Sequence, residues 1–201
     1  MKIIETRTAP NARRVRIFLA EKGIEVEREH RDLGSLRSEE FTRLNPYQRV
    51  PVLVLDDGTV IAETIAICRY FEELQPEPAL FGRGALGRAR VEMQHRRVEF
   101  GLYLFVQAAF RHLHPSMIEL ESPQIPAWGE ANKSKALAAL QLLDQQLATS
   151  RYLAGDEYSI ADITALVTVD FMRPARIARP EHLENVARWY QDVSSRPSAS
   201  A

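Results

Sequence analysis

The stretch Arg49-Val50-Pro51-Val52-Leu53-Val54-Leu55-Asp56-Asp57-Gly58, followed by Glu63-Thr64-Ile65-Ala66-Ile67, says most about the fold. Pro51 has no N–H for a sheet ladder, so it must open a strand or lie at an edge. Asp57-Gly58 is typical of a hairpin turn between two short apolar strands. Glu63 and Thr64 begin a helix, where unpaired backbone N–H groups favour a carboxylate. These features indicate a site for an extended, peptide-like ligand. The alternative is structural: Pro51 ends a loop and Thr64 caps a helix.

The bulk properties exclude several classes of protein. The chain has 201 residues, enough for a real core in one domain or two small ones. A formal net charge of -1 gives no attraction to nucleic acid or to anionic membrane. No apolar run approaches the ~20 residues of a membrane span, and the N-terminus lacks a secretory signal. The single cysteine, Cys68, excludes an internal disulfide. We therefore expect a cytoplasmic protein.

The first 75 residues alternate between strand and helix signals. Gly23 stands where a helix C-terminal glycine is expected, and Asp57-Gly58 separates the last two strands. The order β-α-β-α-β-β-α predicts a thioredoxin-like domain. The predicted elements are strand 3–4, helix 12–22, strand 24–30, helix 38–44, strand 52–55, strand 59–62 and helix 64–74.

Beyond residue 75 the strand signals stop. Prolines and glycines over 76–87 predict a linker, and 88–201 predict an all-helical C-terminal domain. Its predicted helices are 89–112, 128–148, 159–171 and 181–194. Ser159-Ile160-Ala161-Asp162 has the form of a capping box, and 196–201 are expected to fray. The predicted fold class is α+β: a thioredoxin-like domain (1–75), a linker and a helical bundle.

Four motifs occur in an order that resembles the glutathione S-transferase superfamily. They are Thr8-Ala9-Pro10-Asn11-Ala12-Arg13-Arg14-Val15, Asn45-Pro46-Tyr47-Gln48-Arg49-Val50-Pro51, Glu63-Thr64, and Tyr152-Leu153-Ala154-Gly155 through Ser159-Ile160-Ala161-Asp162. The resemblance covers essentially the whole chain. It implies a protein that binds glutathione in the N-terminal domain and transfers its thiolate to an electrophile.

The resemblance also implies the residues that hold glutathione. The proline matching Pro51 has a cis peptide bond in that family, which leaves the N–H and C=O of the preceding residue, here Val50, for the cysteinyl part of the ligand. Arg49 falls where a lysine or glutamine touches the glycine end. Glu63 and Thr64 match the acidic-hydroxyl pair that holds the γ-glutamyl end. Gln48 replaces a common glycine, which departs from the family pattern.

The reactive centre must activate a thiol on the ligand, because Cys68 is predicted to be a small buried residue. The loop 6–11 holds no tyrosine, cysteine or serine. Its remaining donors, Thr8 and Asn11, resemble the active-site loop of the bacterial nu-class enzymes, with one extra residue before the proline. Thr6 is a rival for the same role. The structural alternative is that Thr8 and Asn11 only cap the first helix.

The second substrate is expected on the long helix of the C-terminal domain. Tyr103, Gln107, Phe110 and Arg111 fall on successive turns there, although such a stripe is also typical of helix packing. The family implies a small electrophilic or disulfide substrate and a homodimer, and the residues and net charge predict no metal and no nucleic-acid or membrane partner. Two rival functions remain: a glutathione-dependent disulfide reductase or peroxidase, and a non-catalytic glutathione-binding interaction module.

Overall fold

The computed structural model describes residues 1–201, which form two compact units. The first unit comprises Met1–Ala79 together with Pro197–Ala201, and the second comprises Leu80–Arg196. No helix is both long enough and apolar enough to cross a lipid bilayer.

The first unit has the predicted βαβαββα order. It consists of β1 (Lys2–Glu5), α1 (Pro10–Lys22), β2 (Glu27–His30), a short 3-10 turn (Ser35–Arg37), α2 (Glu39–Leu44), β3 (Val52–Val54), β4 (Val60–Ala62) and α3 (Thr64–Leu74). The strand order is β2-β1-β3-β4, with β1 parallel to β2 and the other neighbours antiparallel. The thioredoxin-like fold is therefore confirmed. The strand predicted at 24–30 begins only at Glu27.

Apolar side chains of β1, α1 and α3 form the core of this unit. Ile3, Phe18 and Phe71 are among its buried residues. Gly23 ends α1 in the left-handed conformation (φ 63°), as the sequence predicts. Just before it, the buried Lys22 ammonium pairs with the Glu72 carboxylate and donates to the backbone carbonyl oxygens of Gln75 and Pro78. The ends of α1 and α3 are thereby joined.

The final residues of the chain belong to the first unit. Pro197–Ser200 form a 3-10 turn in which Ser198 and Ala199 are buried. Arg13 of α1 donates to the Ala199 carbonyl oxygen at 2.9 Å, and the Ser198 hydroxyl bonds to the Glu21 carboxylate. The expectation that 196–201 fray is wrong, because these contacts with α1 fix the segment.

The second unit is all-helical, as predicted. It contains α4 (Gly84–Val98), a π-helical segment (Glu99–Tyr103), α5 (Leu104–Leu113), a 3-10 turn (Pro115–Met117), α6 (Pro126–Leu147), α7 (Ile160–Met172) and α8 (Glu184–Ser194). The helix predicted at 89–112 is longer and is interrupted by the π segment. Its start at Gly84 lies inside the segment predicted as a linker.

Asp162 organises the core of the second unit. Its buried carboxylate accepts hydrogen bonds from the Leu153 N–H, the Ser159 N–H and hydroxyl, and the Trp189 indole N–H, at 2.9–3.0 Å. Burial raises the pKa of this carboxyl, and the four donors oppose that shift. The predicted capping box is thus part of a network that joins α7, α8 and the segment before α7.

We expect Asp162→Asn to lower the free energy of unfolding by about 3 kcal/mol, because the new amide group places its own donor against buried donors. Urea denaturation measures this change. The matched control is Asp156→Asn on the exposed turn before α7, which should stay within about 0.5 kcal/mol of the parent. A loss below about 1 kcal/mol for Asp162→Asn would contradict this account of the core.

Candidate functional site

The strand register brings three functional segments to one edge of the sheet. Val52 at the start of β3 pairs with Ile4 near the end of β1 and with Ala62 at the end of β4. The loop that follows β1, the Val50–Pro51 pair before β3 and the Glu63–Thr64 start of α3 therefore all lie at the same edge. The sequence-predicted residues of the first unit meet there.

The Val50–Pro51 peptide bond is cis, as the family resemblance implies. Neither the N–H nor the carbonyl of Val50 takes part in a backbone–backbone hydrogen bond. The Val50 side chain lies in an apolar cluster with Ile4 and Phe41, and Ala9 at the start of α1 packs against that cluster. The backbone of Val50 and the beginning of α1 are thus held near one another.

Asn45 fixes the loop that precedes Val50. Its side-chain amide donates to the Arg49 carbonyl at 2.8 Å and accepts from the Tyr47 N–H at 3.1 Å. Gln48 has a φ of 53°, in the left-handed region where glycine is favoured, which explains the family's glycine at this position. The Arg49 side chain is exposed and donates only to the adjacent Gln48 carbonyl.

The start of α3 has no side-chain cap. Its N-cap is Glu63, which has a φ of 71° and an exposed side chain without a hydrogen bond. Thr64 is the first helical residue, and its buried side chain makes no hydrogen bond either. The structural alternative for Thr64, that it caps the helix, is therefore wrong. The Glu63 carboxylate, the Thr64 hydroxyl and the first N–H groups of α3 therefore lie next to one another at the start of the helix.

The start of α1 likewise has no side-chain cap. Its N-cap is Ala9, with Pro10 as the first helical residue, so neither Thr8 nor Asn11 serves as the cap. The Thr6 hydroxyl donates to the Arg31 carbonyl oxygen at 2.9 Å, so it is engaged within the protein. Thr8 is exposed, and its hydroxyl makes no hydrogen bond. Neither Thr8 nor Asn11 is thus committed to capping α1.

Asn11 is supported by an arginine of its own helix. Its side-chain oxygen accepts a hydrogen bond from Arg14 Nη2 at 2.7 Å, and Arg14 is only 3% exposed. The neighbouring Arg13 is half-buried and donates to the Ala199 carbonyl. Both arginines are thus engaged by groups of the first unit.

Arg16 holds the loop between β1 and α1. Its guanidinium donates to the Arg7 carbonyl at 3.0 Å and pairs with the fully buried Glu5 carboxylate at 3.4 Å. Arg28 pairs with the other Glu5 oxygen at 3.4 Å. This group was not predicted from the sequence. Its signal is Glu5 itself, a carboxylate at the end of an apolar strand, which requires a charged partner when buried.

The only thiol of the protein is unsuited to nucleophilic chemistry. Cys68 lies inside α3 and is fully buried, as predicted. Burial raises the pKa of its thiol, while the Arg14 charge acts in the opposite direction and Glu72 adds to the rise. Because the thiolate is the reactive form, a reactive sulfur must come from a ligand.

The residues predicted for an electrophile lie in the second unit. Tyr103 is buried and contacts the Phe171 ring, which fits helix packing. Phe110 lies between the rings of Phe171 and His114, and it is half-buried. Gln107 is also half-buried and reaches the Tyr103 hydroxyl at 3.5 Å.

Arg111 is engaged by the segment that follows α5. It pairs with the Glu121 carboxylate and donates to the Leu120 carbonyl oxygen. No group of three or more histidine, cysteine, aspartate or glutamate side chains is placed to hold a metal ion. The Nδ1 atom of His112 accepts from the Ile125 N–H, and that of His114 contacts the Ser116 hydroxyl.

Comparison with known proteins identifies the family. Residues 8–74 match the model of the glutathione S-transferase N-terminal domain, and residues 105–197 match that of the C-terminal domain. The chain is 36% identical to glutathione S-transferase 2 of Saccharomyces cerevisiae, over 98% of this chain and 87% of that protein.

Solved structures agree with this result. The crystal structure of Gtt2 from Saccharomyces cerevisiae superposes with a TM-score of 0.94 and 36% identity, covering 100% of this chain and 99% of the other. A glutathione S-transferase of class Gtt2 from Vibrio parahaemolyticus gives a TM-score of 0.87 and 41% identity, with 98% and 95% covered. With both domain models matched and these relatives aligned over nearly their full length, the chain belongs to the glutathione S-transferase family, close to its Gtt2-type members.

Proposed function

We propose that this protein is a glutathione transferase that binds glutathione in its first unit and activates the glutathione thiol through Thr8 and Asn11. The thiolate sulfur forms a bond to an electrophilic carbon, and the leaving group departs with its electron pair or the adduct takes up a proton. The observation that carries the proposal is the common sheet edge of Val50, the uncapped start of α1 and the uncapped start of α3.

Each end of glutathione has a chemically matched partner at this edge. The Glu63 carboxylate accepts from the α-ammonium of the γ-glutamyl residue. The Thr64 hydroxyl and the first N–H groups of α3 donate to its α-carboxylate. The N–H and C=O of Val50 pair with the cysteinyl backbone in strand fashion. The exposed Arg49 guanidinium pairs with the glycine carboxylate.

The available donors suffice to activate the thiol. A free thiol with a pKa of ~8.5 is only a few per cent ionised at neutral pH. Lowering that pKa by about two units requires ~2.7 kcal/mol of preferential thiolate stabilisation. A helix N-terminus contributes ~0.3–2 kcal/mol, and a hydrogen bond from Thr8 or Asn11 to the charged sulfur contributes ~1.5–3 kcal/mol. One such hydrogen bond together with the N-terminus of α1 therefore supplies the thiolate stabilisation that is required.

The two rival functions diverge from the transferase once glutathione has bound. A disulfide reductase or peroxidase uses the same bound thiolate and then requires a second glutathione. A non-catalytic module binds glutathione without activating it. The absence of a capping role for Thr8 and Asn11 favours the activated thiol over the non-catalytic module.

We expect the thiol of bound glutathione to have a pKa about two units below that of free glutathione. Thr8→Ala or Asn11→Ala should raise it by about one unit or more, because a hydrogen bond to the thiolate is lost. The measurement is the ultraviolet absorbance of the bound thiolate as a function of pH. Bound glutathione with an unshifted pKa in the parent protein would leave only the binding module.

Phe110→Ala, in the second unit, is the control for the pKa measurements on Thr8→Ala and Asn11→Ala. We propose that Tyr103, Gln107, Phe110 and Arg111 contact the electrophile; Tyr103 is buried and the other three are half-buried. Phe110→Ala should therefore raise KM for the electrophile and leave the pKa of the bound thiol unchanged. If the protein turns over a glutathione mixed disulfide but not an aromatic halide, the disulfide reductase is favoured over the transferase.

We expect Thr64→Val to raise the Kd for glutathione by about 10-fold to 150-fold, because the near-isosteric side chain cannot donate to the γ-glutamyl carboxylate. Thr64→Ser keeps the hydroxyl and should stay within about threefold of the parent. Isothermal titration calorimetry measures both variants. Equal affinities for the valine and serine variants would remove Thr64 from the binding site.

We also propose a homodimer, which the family resemblance implies. The second unit has a groove of about 680 Å³ between α4, the π segment and α6. Phe100 and Leu142 line it and are 54% and 67% exposed, an apolar surface that a second copy would cover.

Light scattering after size exclusion should give twice the chain mass of 22.9 kDa. Leu142→Asp should shift the protein to the monomer, because a charge is costly to bury at an apolar interface. Leu33→Asp, at an exposed residue of the first unit, is the control and should remain dimeric. A monomeric parent protein would refute the proposed dimer.

A further inference from the structure

We propose that Asn45 is a positioning residue for glutathione: by holding the Arg49 carbonyl oxygen, it sets the direction of the Val50 N–H that donates to the cysteinyl carbonyl of the ligand. This inference rests on the proposed function, in which the Val50 backbone pairs with the cysteinyl residue. It assigns a role to a buried side chain that acts through the backbone. All three residues belong to the first unit.

Local chemistry brings the Asn45 amide to Arg49. The chain turns after α2, where the Asn45 carbonyl oxygen accepts from the Gln48 N–H at 2.9 Å. Pro46 holds the second position of this turn, where its fixed φ is favourable. The Asn45 side chain folds back on the turn, as asparagine commonly does, and accepts from the Tyr47 N–H at 3.1 Å. Its other end reaches the Arg49 carbonyl oxygen at 2.8 Å.

The orientation of the Asn45 amide is determined by these two partners. The Tyr47 N–H can only donate, so it faces Oδ1, and the Arg49 carbonyl oxygen can only accept, so it faces Nδ2. Both partners are backbone groups, whose roles do not change with pH or rotamer. Asn45 is only 4% exposed, so water competes little for either bond. The Arg49 carbonyl is therefore held toward a buried side chain.

The peptide bond between Arg49 and Val50 transmits this contact. It is a trans bond, and in a planar trans peptide the C=O and the N–H point in opposite directions. Because Asn45 Nδ2 lies on the carbonyl side of this plane, the Val50 N–H must point away from Asn45. The direction of that N–H thus follows from a side chain five residues earlier.

The remainder of Val50 is fixed as well. Its side chain lies in the apolar cluster with Ile4 and Phe41, and its N–H makes no backbone–backbone hydrogen bond. Two residues later, Val52 is paired on both sides, with Ile4 and with Ala62. Val50 therefore lies just beyond the paired part of the sheet. A donor of fixed direction at such a place suits the strand-like pairing of an extended peptide.

No other side chain replaces Asn45 in this role. The Arg49 guanidinium is exposed and donates only to the Gln48 carbonyl, so it does not hold its own carbonyl group. Without Asn45 the Arg49–Val50 peptide plane can rotate about the single bonds on either side of it. Glutathione would then have to order the Val50 N–H on binding, which lowers its affinity.

A comparison of two truncated ligands isolates the contact. γ-Glutamylcysteine amide and γ-glutamylcysteamine carry the same charge, and both lack the glycine residue. Only the first has the cysteinyl carbonyl that accepts from the Val50 N–H. Any general loss of stability, or any effect of a new charge on the protein, acts on both ligands alike.

Asn45→Asp tests the inference by isothermal titration calorimetry. The aspartate still accepts from the Tyr47 N–H but cannot donate to the Arg49 carbonyl. The Kd for glutathione and for γ-glutamylcysteine amide should rise by about 10-fold to 100-fold, whereas that for γ-glutamylcysteamine should change less than about threefold. Asn45→Ala removes both bonds without adding a charge and should show the same dependence on the ligand. An equal rise for all three ligands would overturn the positioning role.

Thr42→Ala is the matched control. Thr42 accepts from the Gln48 side-chain amide at 3.1 Å, so this variant loosens the same turn and leaves the bond to the Arg49 carbonyl in place. The Kd for each of the three ligands should stay within about threefold of the parent value. A ligand-dependent loss as large as that of Asn45→Asp would overturn the inference, because any loosening of the turn would then suffice.

The parent protein separates this inference from the proposed function. If it binds glutathione but does not distinguish γ-glutamylcysteine amide from γ-glutamylcysteamine, the Val50 N–H does not contact the ligand, and the inference fails while the transferase function stands. A parent protein that does not bind glutathione overturns both.

Discussion

Every α-helix begins with backbone N–H groups that have no partner inside the helix, and this constraint organises the molecule. At α2 the Ser38 hydroxyl accepts from the Phe41 N–H, and at α7 the buried Asp162 carboxylate completes a capping box. The starts of α1 and α3 have no such side chain. Because β1 and β4 deliver the chain to the same sheet edge, these two uncapped termini occur together. Their unsatisfied donors suit two of the three anionic groups of the proposed ligand, the γ-glutamyl carboxylate and the thiolate sulfur.

The cost of this arrangement appears in the backbone. Gln48 and Glu63 both have positive φ values, which L-residues adopt at a cost of about 1–3 kcal/mol each. Gln48 lies beside the Val50–Pro51 pair and Glu63 begins α3, so two of the three non-glycine residues with positive φ adjoin the proposed ligand contacts; the third, Arg176, lies in the second unit. The surrounding structure holds them: Asn45 fixes the loop beside Gln48, and the buried face of α3 fixes the helix that follows Glu63. Such strain at a binding edge, balanced by a rigid core, is characteristic of functional sites.

Local chemistry explains what the sequence predicts well and what it does not. Asp57-Gly58 and Gly23 are predictable because they follow turn and helix-terminus preferences that involve only neighbouring residues. The identification of Pro51, Glu63 and Thr64 rests on motif resemblance, and the register places them at one edge. The partners of buried charges are not predictable in this way, because Arg16 and Glu5 or Arg13 and Ala199 meet only in the folded chain. The hydrogen bond from the Thr6 hydroxyl to the Arg31 carbonyl is likewise not predictable, because the two residues are 25 positions apart in sequence.

The 3-10 turn at Pro197–Ser200 has a consequence for biosynthesis. Arg13 and its acceptor on Ala199 are 186 residues apart in sequence. At 5–20 residues per second the ribosome makes the second partner about 10–40 s after the first. The first unit therefore emerges early but lacks one of its packing elements until the helical unit has been translated. The helix α1, which bears Asn11, therefore makes its contacts with this turn only after the rest of the first unit has been synthesised.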